Sequence, residues 1–290
     1  MVITGAGGQV GRFLAGEAAR RGYQVRALTH REFDITDPAA ARRHVAGADI
    51  VVNCAALTDV DAAEAEPDRA HAINAAGAGT VAAACAVAGA RLVHLSTDYV
   101  FGGERREPYR TTDTPGPLSV YGRTKLDGEQ AVLAALPGAH VVRTSWVYTG
   151  DTGPGAGKDF VAGMRALAHT DREIDVVADQ IGSPTYVGDL VSALLELAGR
   201  DVRPGILHAA NAGAASRFEQ ARAVFAGLGA DPERVRPVST AAVPRPARRP
   251  AFSALSMADT AAAGLTALRP WREALTDALA RSTGPLPSTP

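Results

Sequence analysis

The sequence predicts an α/β fold, a doubly wound parallel sheet with a smaller C-terminal lobe, on three observations. The chain opens as strand, glycine turn and helix; short β-branched runs then alternate with segments of helical period; and polar residues cluster where central apolar runs end. With 290 residues, 46% hydrophobic and 21% charged, there is ample length for one large domain or two small ones. A net charge of -1 with both signs interspersed argues against a basic nucleic-acid face or a polybasic membrane-seeking segment, so small molecules are the expected partners. Cys54 and Cys85 lie in alanine-rich surroundings without metal-ligand spacing, which predicts small buried side chains and a reducing, cytoplasmic compartment. No apolar run is expected to span a bilayer, and Met1 leads into the glycine turn without a signal-type segment.

The β-branched run Val2-Ile3-Thr4 is the first strand, and Gly5-Ala6-Gly7-Gly8-Gln9-Val10-Gly11 turns it into a helix ending at Gly22. Glycines at 5, 8 and 11 permit positive φ and close backbone approach, so a pyrophosphate can sit on amide groups at the positive end of the helix. Gly5, Gly8, Gln9, Val10 and Gly11 are therefore candidate dinucleotide contacts in a Rossmann-type sheet. Residues 23–28 are the second strand. The turn after it holds Thr29, His30 and Arg31 with no carboxylate for a ribose hydroxyl, so Arg31 is either a reader of a 2′-phosphate, favouring NADPH over NADH, or a solvated surface arginine.

Residues 33–35 suggest a brief third strand placing Asp34 and Ile35 towards the adenine, and Pro38 starts the next helix. Residues 49–56 form a buried strand whose small C-terminal residues, Ala55 and Ala56, leave room for a cofactor to pass over. A long alanine-rich helix runs from Pro67 to Ala88; its Asn74 either bonds locally or holds a water for proton delivery. The strand at 91–95 leads into Ser96-Thr97-Asp98-Tyr99, polar groups where open α/β sheets keep their chemistry. Tyr121 and Lys125 lie one helical turn apart, which lets an ammonium stabilise a phenolate and lower its pKa, although the spacing alone also fits an amphipathic surface helix.

Beyond these come a strand at 141–148, a glycine-rich lid at 150–157, a helix at 160–168, a strand at 173–178 and a helix at 186–198. Residues 206–210 rejoin the main sheet, 218–228 and 235–238 belong to the smaller lobe, and the last helix covers 271–280. The expected organisation is a cofactor domain of 1–150 with 186–210, a substrate-binding lobe of 151–185 and 211–281, and a disordered tail at 282–290.

Gly5-x-x-Gly8-x-x-Gly11, Ser96-Thr97-Asp98-Tyr99-Val100-Phe101 and Tyr121-x-x-x-Lys125, in this order, resemble the extended short-chain dehydrogenase/reductase family, whose members act largely on nucleotide sugars. Within it the chain looks most like the dTDP-4-dehydrorhamnose reductases, through residues 53–61, 121–129, 143–148, 179–185 and 249–255. The likeness spans nearly the whole chain and fades after about Ala210. It implies Tyr121 as general acid, Lys125 as its electrostatic helper and ribose clamp, and Thr97 as the hydroxyl orienting a C4 ketone that takes hydride from NADPH, with NADH possible. It also implies Thr58, Val60, Asp98, Tyr99, Trp146, Gln180 and Arg249 around the sugar and its nucleotide, with core packing the alternative for Trp146 and plain solvation for Arg249. Mg²⁺ binding through surface carboxylates occurs in the family, but Glu17 has no evident companions, so no metal site is expected. A monomer or homodimer is expected. Other readings are a 4-ketoreductase for a different dTDP-deoxysugar or aminosugar, and a non-catalytic NADP-binding regulatory subunit.

Overall fold

A computed structural model describes residues 1–150 and 159–281; the expected tail and, apart from Gly150, the expected lid lie outside the described residues. In chain order the first half contains β1 (Val2–Thr4), α1 (Gln9–Arg20), β2 (Arg26–Leu28), α2 (Pro38–Val45), β3 (Ile50–Asn53), α3 (Val60–Ala65), α4 (Pro67–His71), α5 (Ala78–Ala88), β4 (Arg91–Thr97) and α6 (Val120–Ala135). Then come β5 (His140–Thr144), β6 (Val147–Tyr148), α7 (Phe160–Ala168), β7 (Ile174–Val177), β8 (Ile181–Gly182), β9 (Thr185–Tyr186) and α8 (Val187–Gly199). The chain ends with β10 (Gly205–His208), β11 (Ala215–Ser216), α9 (Arg217–Gly227), β12 (Val235–Val238), α10 (Ala258–Ala262) and α11 (Trp271–Arg281).

Six strands form one parallel sheet in the order β10-β5-β4-β3-β1-β2. Its central strands are apolar on both faces because helices cover both. Leu14, Ala18, Leu190 and Leu194 from α1 and α8 pack one side, and Ala41, Val45, Val81, Ala82 and Val132 from α2, α5 and α6 pack the other. The chain runs outward from β1 to β2 and returns to β3, so the order reverses between β1 and β3 and opens a crevice at their C-terminal ends. Short pairs β7–β12, β8–β11 and β6–β9 gather the remaining strands.

Four expectations need correction. Residues 33–35 form no strand: Phe33 and Ile35 are buried in the core while Asp34 accepts from the amide and hydroxyl of Thr36 at 2.9 and 2.8 Å, a side-chain turn that ends extension. The run at 141–148 is broken after Thr144, because Trp146 adopts φ 47° and turns β6 away to pair with β9. The helix Pro67–Ala88, with a mean hydropathy of 1.3, is after all long and apolar enough to cross a membrane by length and composition, since alanine counts as apolar; half of that stretch is buried within the protein. Finally, Asn74 does not bond locally within its helix. It sits in a π-helical turn, Ala72–Gly77, accepts from Leu57 N at 2.8 Å and donates to Leu57 O and Thr124 Oγ1, both at 3.1 Å, tying the loop after β3 to α6.

Helix α6 begins where Ser119 Oγ accepts from Gly122 N at 3.1 Å. A Cβ at Gly122 would lie 2.2 Å from the Tyr99 carbonyl and one at Gly128 2.2 Å from the Asn74 carbonyl, so only glycine allows this helix to sit so low. Deeper in, Glu129 forms a forked pair with Arg143 of β5, Nε to Oε1 at 2.8 Å and Nη2 to Oε2 at 2.6 Å, and Ser96 Oγ of β4 donates to the same carboxylate at 2.5 Å. Both partners of the pair are at most 2% exposed. Arg143→Leu, which strands the carboxylate in the core, is expected to cost about 3–5 kcal/mol in urea unfolding, and Glu129→Leu added to it should recover most of that loss. Equal losses in single and double variants would mean that the pair does not set the position of α6.

Candidate active site

At the C-terminal end of β1, Gly5 has φ +64° and a Cβ there would lie 2.7 Å from Ala55 N; a Cβ at Gly11 would lie 2.4 Å from the Gly5 carbonyl. The turn is thus closed by backbone on backbone, and it delivers the start of α1 to the crevice. Helices α2, α3, α6, α7 and α9 are capped by the side chains of Asp37, Asp59, Ser119, Asp159 and Ser216, whereas α1, like α4, α8 and α10, has no side-chain cap, and its N-cap is Gly8. An uncapped helix end at a topological switch point fits the phosphates of a dinucleotide. Gln9 donates to Asp159 Oδ2 at 3.0 Å, while Val10 packs against the core; Ala55 N donates to Thr4 Oγ1 and Asn53 Oδ1 at 3.3 and 3.2 Å on the crevice floor, beside Ala56.

The turn after β2 does contain a carboxylate. Glu32 folds back to accept from the Thr29 amide and hydroxyl, both at 2.8 Å, and exposed Arg31 stands beside it. The expected absence of an acid there overlooked a side chain that returns three residues along the chain. Asp34 is spent on its own turn, and a Cβ at Gly77 would lie 2.9 Å from Ile35 Cγ1, so this residue is part of the core under α5.

Thr97 ends β4, its hydroxyl donating to Asp98 Oδ1 at 3.1 Å and accepting from Tyr99 N at 3.2 Å. Tyr121 reaches across from the first turn of α6 to lie beside Thr97, and its ring meets Tyr99 edge-on at 5.9 Å. Burial, with smaller contributions from Asp98 and Tyr99, pushes the Tyr121 phenol well above its usual range. This differs from the expectation that Lys125 would draw it down: the lysine Nζ is directed into the sheet, 2.6 Å from the Leu95 carbonyl and 3.4 Å from His94 Nε2. Burial in turn pulls Lys125 down to about 8. Asp98 is 2% exposed and accepts from Ser253 Oγ at 2.5 Å; burial pushes it up to about 6 against these hydrogen bonds.

Among the other expected residues, Thr58 is exposed and Val60 half-buried at the start of α3. Gln180 donates to Thr240 Oγ1 at 3.0 Å. Arg249 is neither simply solvated nor free, since it forks onto Asp61 at 2.7 and 3.0 Å and bonds Tyr99. Trp146 is pressed between chain segments: a Cβ at Gly182 would lie 2.4 Å from the indole, and the Arg217 guanidinium lies 3.6 Å from the ring centroid. Sequence reasoning missed Arg217. It opens α9, stacks also over Phe160 at 4.9 Å, and donates to the neutral amide of Gln220 at 3.2 Å. Among the described residues no carboxylate forms an ion pair with it. Nothing in the pattern around 217 singles this arginine out; only packing brings it to Trp146 and Asp98. Also among the described residues, no three His, Cys, Asp or Glu side chains are grouped to hold a metal ion.

The sequence profile of the RmlD substrate binding domain matches residues 1–283. The chain is 62% identical to a dTDP-4-dehydrorhamnose reductase of Mycolicibacterium smegmatis, covering 100% of this chain and 89% of that one, and 60% identical to the reductase of that name from Mycobacterium tuberculosis, covering 97% and 92%. Among solved structures, the dTDP-4-dehydrorhamnose reductase of Bacillus anthracis in complex with NADP superimposes with a TM-score of 0.89 at 39% identity, over 95% of this chain and 96% of that one. With a matching profile over nearly its full length and the same sheet, crevice and hydroxyl pair in place, the chain belongs to the RmlD family, that of the dTDP-4-dehydrorhamnose reductases.

Proposed function

We propose that this protein uses NADPH to reduce the C4 ketone of dTDP-4-dehydro-L-rhamnose, giving dTDP-L-rhamnose. The observation that carries the reading is the pair of hydroxyls, Thr97 and Tyr121, brought side by side at the end of a central strand, with the uncapped start of α1 at the same end of the sheet. The relatives' shared name supplies the sugar. Gly5 to Gly11 would hold the pyrophosphate, and Lys125 would hold the ribose. When bound, the nicotinamide supplies the hydride. Negative charge then grows on the C4 oxygen, where the Thr97 hydroxyl, turned from Asp98, donates a hydrogen bond and Tyr121 delivers its proton. Burial raises the phenol, so Tyr121 is protonated throughout the neutral range and gives up its proton only as charge develops on the C4 oxygen. Asp98, Tyr99 and Trp146 border the sugar. Arg217, a cation without a carboxylate partner among the described residues, is available to the diphosphate, whereas Arg249 is neutralised by Asp61 and shapes the wall beside Tyr99.

Tyr121→Phe is expected to keep NADPH affinity, read by fluorescence titration, and to lose roughly 10²–10⁴ in kcat, the worth of a positioned acid. A variant within threefold of wild type would remove Tyr121 from this role. Arg217→Ala is expected to raise KM for the nucleotide sugar about tenfold or more, the scale of a lost charge-assisted contact, while NADPH affinity stays unchanged. For cofactor choice, Arg31→Ala should lower the ratio of NADPH to NADH efficiency and Glu32→Ala should raise it; a ratio unmoved by both would put the reader elsewhere. The sugar itself is tested by generating the 4-keto substrate from dTDP-4-dehydro-6-deoxy-D-glucose with a 3,5-epimerase. Equal NADPH oxidation with the epimerase left out would show that the unepimerised D-sugar is the substrate.

A further inference from the structure

Three polar residues interrupt the apolar strands beneath the crevice, and they lie directly opposite one another. Thr4 of β1 is paired in register with Asn53 of β3, and Asn53 with His94 of β4. All are at most 1% exposed. Their side chains form one line: Thr4 Oγ1 to Asn53 Oδ1 at 2.6 Å, Asn53 Nδ2 to His94 Nδ1 at 3.1 Å, and His94 Nε2 to Lys125 Nζ at 3.4 Å. We infer that His94, oriented by Asn53 and Thr4, is a positioning residue that holds Lys125 in place and matches its own tautomer to the charge on that lysine. The inference rests on Lys125 serving the bound cofactor and Tyr121, as proposed above.

The line works only with a neutral imidazole, and burial, together with the adjacent lysine, keeps His94 uncharged by holding it well below the usual histidine range. A neutral ring has one N–H and one lone pair. Facing an ammonium, which only donates, Nε2 must offer the lone pair; the proton then sits on Nδ1 and needs the amide oxygen of Asn53. Facing a neutral amine, Nε2 carries the proton and Nδ1 accepts from the amide nitrogen. A half-turn of the Asn53 amide exchanges the two arrangements without moving a ring or a strand; the Thr4 hydroxyl can donate or accept, and the Ala55 amide, which loses Asn53 Oδ1 in the turned state, keeps its bond to Thr4 Oγ1 at 3.3 Å. Other groups acting on Lys125 are Glu129, already forked onto Arg143, and the Cys54 thiol, which burial pushes up to about 12 and so leaves uncharged. His94 is thus the uncharged side chain in contact with the ammonium, and it stabilises that charge without neutralising it.

Two replacements separate this role from simple strand tying. Glutamine can put a polar atom near the place of Nε2, whereas asparagine reaches only the place of Nδ1. ¹⁵N NMR of the Lys125 amine in the intact protein should show deprotonation near pH 8 in wild type. It should occur at a similar pH in His94→Gln and about one pH unit lower in His94→Asn, because loss of the acceptor removes stabilisation from the charged form only. The alkaline limb of kcat should move to lower pH with it, so that His94→Asn at pH 8 loses about fivefold in kcat with KM for the sugar little changed. In wild type alone, the protonated nitrogen of His94 should switch from Nδ1 to Nε2 as Lys125 titrates. An imidazole tautomer fixed through that range, or identical lysine midpoints in wild type and both variants, would reduce the line to a strand tie. Neither NMR readout needs a sugar, so a wrong substrate assignment would leave this test intact.

Discussion

How low α6 sits on the sheet is the constraint on which the rest of the structure depends. Tyr121 and Lys125 both project from this helix, and a shift of an ångström would part the phenol from Thr97 or the ammonium from the Leu95 carbonyl. Two contacts between backbones, at Gly122 and Gly128, set the height, and the Glu129–Arg143 fork sets the rotation and the slide along the strands. A buried ion pair is a poor source of net stability, because desolvating two charges offsets most of their attraction. Its use here is geometric. Apolar side chains in the same place would tolerate several packings, whereas a planar guanidinium meeting a planar carboxylate tolerates one.

Burial then moves the two site groups in opposite directions. The same exclusion of water that raises the Tyr121 phenol lowers the Lys125 ammonium, because in each case the charged form is the one disfavoured. Neither role proposed for these groups gains from this. A phenol is already protonated at neutral pH, so a further rise makes Tyr121 a weaker acid, and its transfer must be driven by the charge that grows on the ketone oxygen. The lysine's charge survives at neutral pH on a carbonyl dipole, a nearby carboxylate already shared with Arg143, and a neutral imidazole. Direct pairing with a free carboxylate would have held the ammonium more firmly, but would also have cancelled the positive field at the cofactor. Neutral acceptors preserve that field.

Much of this was legible in the sequence, and the reasons for the gaps are physical. Glycines at 5 and 11 announced the cradle because only a missing Cβ satisfies contacts of 2.7 and 2.4 Å, and the Tyr121–Lys125 pair announced its helix by spacing. The same glycine logic applied at Gly122 and Gly128 but was not readable, since the carbonyls they approach belong to segments distant along the chain. Phe33 to Ile35 had strand composition, yet Asp34 had a hydroxyl two residues away and closed a turn instead. Glu32 escaped notice because a side chain can return to Thr29 from outside the expected position. Arg217 and His94 were invisible for one shared reason: each matters through what lies beside it, Trp146 and Phe160 for one, Asn53 and Lys125 for the other.

The remaining polar wall of the crevice shows where the fold accepts cost. Trp146 is the one non-glycine residue with positive φ among the described residues, a conformation worth about 1–3 kcal/mol against an aromatic side chain. Arg217, stacked on that same indole, is pulled down to about 10 by burial and meets a neutral amide. Aromatic faces compensate for some of this, since a guanidinium over an indole gains about 0.5–2 kcal/mol. Three other arginines are answered by carboxylates: Arg143 with Glu129, Arg249 with Asp61, Arg269 with Asp189 and Asp277. The two unrelieved features therefore coincide at one place, between Asp98 and the start of α9. On the role proposed for Arg217, an anion arriving there would meet a cation that no carboxylate pairs with among the described residues.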